Sequence, residues 1–366
     1  MSFSDVPFFL NCSRIGLEGG LKSFADELMR AMVENQVPCH AVLPSGYPVP
    51  DGVEAVFTPA SLAGGSNLSL LRPVKWLAFS RFSFPVPKHL RVLSTTHQAL
   101  PGRGGQIVTI HDLRPYFYPD TAVQRFYFHH MLPRAIARCD GIITVSEASR
   151  QLIHEVYGVP EDRIAVVPNS VKRPVMPIAT AISAAQPFLL AVGASWSHKN
   201  IEALLRQHAL WAPTYRLKIV SGPGPYRTRL EQIAASYGIS SRIDFLSGLA
   251  PLDLEHLYAG CSALVYPSLM EGFGLPPLEA MARLRPAIVS DLPVFRELYR
   301  EHALFVELDR ADSWEQAFAT IITINSAQLS AAQKHALGFD RQRMVRSLRD
   351  AVNRFWPDSL STTAED

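Results

Sequence analysis

Short apolar runs alternate along this chain with longer segments in which apolar positions recur at helical spacing. In the first half, runs of strand type fall at residues 6–10, 37–43, 106–110, 141–145 and 163–168, with part of another at 51–57. The first run leads through a glycine-containing loop into an amphipathic stretch at 21–33. Ser146 stands where a helix N-cap is expected, just after the run at 141–145. The pattern then breaks. Residues 171–187 carry prolines at 174, 177 and 187 with small residues between them, the composition of an interdomain linker. A second series follows, with strands predicted at 188–192, 217–221, 243–246, 262–266, 287–291 and 304–306, and helices at 201–208, 293–299 and 340–355. Two such series argue for an α/β protein with two Rossmann-like domains facing across a cleft.

The 366 residues are enough for two cores, and 48% hydrophobic with 19% charged residues is ordinary for a globular chain. A formal net charge of +2, from 35 basic and 33 acidic residues, gives no whole-molecule case for a nucleic-acid partner. Cys12, Cys39, Cys139 and Cys261 show neither metal-ligand nor disulfide spacing, which points to a reducing, cytoplasmic setting. No secretory start follows Met1 and no uncharged apolar run is long enough to span a bilayer, so any membrane contact is expected to be peripheral.

Local charge departs from this balance. Residues 71–91 hold Arg72, Lys75, Arg81, Lys88 and Arg91 among Trp76, Phe79, Phe82 and Phe84, with no acid. Residues 121–139 add Arg125, Arg134 and Arg138 around Phe126, Tyr127 and Phe128. Such mixing suits an anionic lipid surface; it is equally the pattern of core aromatics beneath a solvated basic rim.

The densest chemistry lies at 268–282. A strand closed by Pro267 runs into Glu271, Gly272, Phe273 and Gly274, and a helix opened by Pro276 and Pro277 follows. The prolines have no N–H, so those of Gly272, Phe273, Gly274 and Leu275 are the ones left to face an anion at the positive end of the helix. Glu271 in the loop and Glu279 two turns along offer carboxylates to hydroxyl groups. Gly19 and Gly20 make a second glycine loop before a helix, and Gly193 with Lys199 a third, the lysine a point charge suited to a diphosphate. His111 and Asp112 end the run at 106–110, where open α/β sheets place ligand groups, and His97 is a weaker candidate of that kind. Gly222 and Gly224 lack the third glycine of a dinucleotide fingerprint.

The string from Ser268 to Ala282 resembles the Glu-x7-Glu motif of the retaining nucleotide-sugar glycosyltransferases of family four, the group 1 glycosyl transferases, which have the GT-B fold. The likeness covers nearly the whole chain and is densest from 188 to 307. It implies an acceptor-side domain at 1–172, completed by a C-terminal helix at about 343–366, and a donor-binding domain at 187–342. It further implies transfer of a sugar from a nucleoside diphosphate sugar to a saccharide or lipid-linked saccharide. Likeness to bacterial mannosyltransferases of surface polysaccharide synthesis makes GDP-mannose the first choice of donor and a UDP-sugar the runner-up.

In that reading Glu271 meets the donor sugar and Glu279 the ribose. Lys199 and the amides of Gly272, Phe273, Gly274 and Leu275 meet the diphosphate, with Gly193, Gly19 and Gly20 beside it. Leu249 lies near the base and His111 near the reacting carbon. No cofactor and no metal are expected, since no Asp-x-Asp occurs anywhere in the chain. The family's arginine before the lysine is missing, Ala194 and His198 occupying the corresponding places. Two other classes stay open: a nucleotide-sugar-binding protein without turnover, and a nicotinamide oxidoreductase, which the incomplete fingerprint disfavours.

Overall fold

The computed structural model describes residues 8–16, 19–62, 78–175 and 186–357. The chain divides into two compact units, Met1–Ser170 with Asp340–Asp366, and Val171–Phe339. Most of the proline-bearing linker lies outside the described residues, as do Arg72, Lys75 and Trp76 of the first basic stretch.

The first unit is built on a parallel sheet of seven strands in the order β3-β2-β1-β4-β5-β6-β7. These are Phe9–Asn11 (β1), His40–Leu43 (β2), Glu54–Phe57 (β3), Val92–Ser94 (β4), Gln106–Thr109 (β5), Gly141–Thr144 (β6) and Ile164–Val166 (β7). Strand β2 starts later than the apolar run that predicts it, because Gln36 turns at φ 57° and Pro38 has no N–H to give to a ladder. Strand β4 was not among the expected elements. The helix Gly20–Glu34 follows β1, and Ser146 caps the helix Glu147–Tyr157 by accepting a hydrogen bond from the Ser149 N–H at 3.1 Å.

The second unit carries six parallel strands in the order β10-β9-β8-β11-β12-β13. They are Phe188–Val192 (β8), Arg216–Val220 (β9), Ile243–Leu246 (β10), Ala263–Tyr266 (β11), Ala287–Ser290 (β12) and Leu304–Val306 (β13). Strands β8 and β11 are unbroken apolar runs, and β12 is apolar up to Ser290, because a parallel sheet covered by helices buries both of its faces. Their side chains meet Trp211, Trp314 and Phe318 in one core.

Each sheet reverses its winding once. In the first unit the reversal falls between β1 and β4, and in the second between β8 and β11. Loops leaving the carboxyl ends of such a strand pair diverge to opposite faces and leave a crevice, the usual ligand position in open α/β sheets. The strands that flank the second reversal are the two that carry Lys199 and Glu271 in their following loops.

Candidate active site

Strand β8 turns at Gly193, whose φ of 75° suits glycine, and a short helical turn at Ser197–Lys199 leads into the helix Ile201–Arg206. The His198 carbonyl accepts from the Leu269 N–H at 2.8 Å, which ties this loop to the one that leaves β11. Across that tie, Lys199 Nζ lies 2.6 Å from Glu271 Oε1 and 2.5 Å from the hydroxyl of Tyr266, the last residue of β11. The ammonium also stands 4.8 Å from the Tyr266 ring centroid. Lys199 and Glu271 expose only 14% and 11% of their side chains, so the pair is held largely out of water but reachable from it. Burial alone would raise the Glu271 pKa; the charge and hydrogen bond of Lys199 outweigh it and hold the carboxyl below its ordinary value. Tyr266 is pushed well above 10, by burial first and then by Glu271, and stays a neutral hydroxyl.

From Glu271 the chain passes through Gly272, Phe273 and Gly274, all buried, into the helix Leu275–Ala282. Phe273 packs edge-on against Phe339 at 5.7 Å between ring centroids. Gly274 has φ 90°, and a Cβ there would stand 2.2 Å from the Tyr299 hydroxyl, so no other residue fits. Glu279, half-buried on this helix, accepts a 2.6 Å hydrogen bond from Tyr258, and its carbonyl accepts one from Arg283. Arg283 is itself locked in a buried ion pair with Glu255. Leu249 is half-buried in the loop after β10, next to Gly248 at φ 64°.

In the first unit, the corresponding strand ends gather Asn11 of β1, Ser94 of β4, and Thr95, His97 and His111 beyond β4 and β5. Asn11 Nδ2 donates to Ser94 Oγ at 3.0 Å and Ser13 Oγ donates to Asn11 Oδ1 at 2.5 Å. His111 Nε2 lies 2.9 Å from the Thr95 carbonyl, which can only accept, so the proton sits on Nε2 and Nδ1 keeps its lone pair. Its ring meets Phe24 edge-on at 4.6 Å. Burial lowers the His111 pKa to about 4 and that of His97 to about 3, the latter helped by the charges of Arg14 and His111. Gly19 is the N-cap of the helix Gly20–Glu34 with φ 94°, a conformation for glycine, whereas Gly20 has open space where a side chain would go.

Lys199 and Glu271, expected in separate loops, meet here, and Glu279 is held by a tyrosine that the motif does not include. Tyr258, Tyr266 and Tyr299 were missed, as was β4. A hydroxyl on the last residue of an apolar strand was a usable signal for Tyr266. Tyr258 and Tyr299 sit on helices remote in sequence from what they touch, and gave none. Ala194 is fully buried and brings no cation.

The model of the family "Glycosyl transferases group 1" matches residues 173–336, and that of "Glycosyltransferase Family 4" matches 18–173. Over 349 residues the chain is 34% identical to the O-antigen chain mannosyltransferase RfbU of Salmonella typhimurium, covering 92% of this chain and 96% of that protein. The chain belongs to the group 1 glycosyl transferases. As a glycosyltransferase it is not a nicotinamide oxidoreductase. Two solved structures have its fold. The lipopolysaccharide glycosyltransferase WaaG superposes with a TM-score of 0.70 at 15% identity, over 94% of this chain and 98% of WaaG. The sucrose-phosphate synthase of Thermosynechococcus elongatus gives 0.71 at 17% identity, over 96% and 97%. The transferase therefore has the two-sheet GT-B architecture expected of it, and no described helix is long and apolar enough to cross a membrane.

Proposed function

We propose that this transferase moves mannose from GDP-mannose, with retention at the anomeric carbon and without a metal ion, onto a saccharide or lipid-linked saccharide of a bacterial surface polysaccharide. The observation that carries the reading is Lys199, fixed by Glu271 and Tyr266 at the β8/β11 reversal beside the proline-opened loop. An ammonium and the N–H groups at the start of that helix would supply the positive potential that a leaving diphosphate needs. Glu271 serves the donor sugar hydroxyls, Glu279 the ribose, and His111, neutral at pH 7, offers Nδ1 to the sugar. In the reaction the bond from the anomeric carbon to the diphosphate oxygen breaks, the acceptor oxygen bonds to the same face of that carbon, and its proton passes to the departing phosphate. The mannosyl donor is supported by the O-antigen chain mannosyltransferase at 34% identity.

Incubation with a panel of nucleotide sugars and a saccharide acceptor, in excess chelator, tests the reading through release of nucleoside diphosphate. GDP release from GDP-mannose with an α-linked product is expected. UDP release alone would replace the donor with a UDP-sugar, and rescue of a chelated enzyme by a divalent ion would overturn the metal-free mechanism.

Work at the inner face of a membrane fits the first unit. Phe82 is 80% exposed beside Arg81, and Val123, Phe126 and Met131 are 71%, 58% and 50% exposed among Arg125, Arg134 and Arg138. Phe128 of the same stretch is core. Binding to anionic vesicles that fades as salt rises, and that Arg125→Glu with Phe126→Ser abolishes, is the expected result; no sedimentation at low salt would return these side chains to a solvated rim.

A further inference from the structure

Tyr299 is fully buried at the end of the helix Pro293–Tyr299, its ring stacked on Phe295 at 5.1 Å between centroids. Its hydroxyl stands 2.7 Å from the carbonyl oxygen of Gly274 and 3.3 Å from that of Phe273. A carbonyl only accepts, so the tyrosine is the donor to both, and burial keeps it protonated by raising its pKa well above 10.

The direction of these bonds fixes more than the carbonyls. In a planar trans peptide the C=O and N–H point to opposite sides. With the Gly274 carbonyl turned inward onto Tyr299, the N–H of Leu275 is turned outward. With the Phe273 carbonyl inward, the N–H of Gly274 is outward too. These two N–H groups lie at the start of the helix Leu275–Ala282, just before Pro276 and Pro277. Gly274 matches this arrangement, because the hydroxyl of Tyr299 and Cε1 of Phe295 fill the space, at 2.2 and 2.8 Å, that a Cβ would need. A side chain at 274 and a hydroxyl at 299 exclude each other.

We propose that Tyr299 is a positioning residue for the donor diphosphate: by holding the Phe273 and Gly274 carbonyls inward it presents the Gly274 and Leu275 N–H groups to phosphate. The inference rests on the phosphate-binding role proposed for this loop. It adds a residue that touches no substrate and acts only through two peptide planes.

Tyr299→Phe keeps the ring and removes the hydroxyl. The expected outcome is about tenfold weaker binding of the nucleoside diphosphate with unchanged binding of the corresponding nucleoside, both read by ligand-observed NMR on the full chain. Gly274→Ala, which evicts the hydroxyl, should show the same selective loss. Phe295→Leu loosens the same packing but keeps the hydroxyl, and should lower thermal stability without that selectivity. Equal losses for diphosphate and nucleoside in Tyr299→Phe, or the same selective loss in Phe295→Leu, would reduce Tyr299 to a packing role and overturn the proposal. Lys199→Ala separates the two levels of the argument. If it weakens diphosphate binding and Tyr299→Phe does not, the positioning role fails and the phosphate site stands; if neither does, both fail.

Discussion

A single ammonium at Lys199 serves two neighbours, the Glu271 carboxylate at 2.6 Å and the Tyr266 hydroxyl at 2.5 Å. A diphosphate arriving there competes with Glu271 for the same charge. Removing the carboxylate's charge should therefore free the ammonium for phosphate while taking away the contact to the donor sugar. The expected split is that Lys199→Ala weakens calorimetric binding of the nucleoside diphosphate by about tenfold or more, a charge-assisted hydrogen bond being worth about 1.5–3 kcal/mol. Glu271→Gln should bind it as tightly as the native enzyme or more so, with turnover falling. Looser diphosphate binding in Glu271→Gln would contradict the competition. His111 sets a second expectation at this scale. Its folded pKa of about 4 lies below the ordinary 6.5, so between those values the unfolded chain binds more protons. Stability from this group is thus complete above pH 6.5 and declines as pH falls towards 4, and His111→Gln should flatten that limb of a denaturation series.

At the scale of elements, the donor-side loops are held from behind by buried tyrosines on other elements: Tyr258 on Glu279, Tyr266 on Lys199, Tyr299 on the Gly274 peptide. The helix Pro251–Gly260, which carries Tyr258, is anchored to the helix Leu275–Ala282 through the buried Glu255–Arg283 pair. Tyr258→Phe leaves one Glu279 oxygen without its donor, so the expected effect is weaker nucleoside binding with little change in stability. Glu255→Gln strands the Arg283 charge, and a loss of about 3–5 kcal/mol in chemical denaturation is expected, far more than an exposed pair would give. This layer was invisible in the sequence for a physical reason. The strands β8, β10, β12 and β13 and the loops carrying Lys199 and Glu271 are local, written in apolar runs, glycines and prolines, and they were legible. Strand β4 follows directly on a basic, aromatic stretch, so its period was lost. Hydroxyl contacts between residues more than twenty positions apart have no local signature at all.

On the scale of the whole molecule, the two units differ in how they are threaded. The second is one continuous segment, Val171–Phe339, whereas the first is closed by residues from the far end of the chain. The helix Arg341–Phe355, capped by Asp340, packs against Gly20–Glu34. Arg341 pairs with Glu27, 5% exposed, at 2.7 Å and also with Glu34, and Ser170 Oγ donates to Glu27 at 3.1 Å. Trp356 Nε1 donates to Asp140 at 2.6 Å, and the Phe355 ring fills the space that a side chain at Gly141 would need. The first unit is therefore completed by a helix that lies beyond the whole of the second in sequence. Arg341→Met removes the charge that Glu27 is buried against, which is costly because the carboxylate is left in low dielectric with, among the described residues, its serine partner. A loss of about 2–3 kcal/mol is expected, confined to the first unit. Hydrogen exchange reads it strand by strand: amides of β1 and β4–β7 should lose protection while those of β8, β11 and β12 keep theirs, and nucleoside diphosphate affinity should not change. A uniform loss of protection over both sheets would show that the terminal helix stabilises the chain as one cooperative body rather than closing the first unit alone.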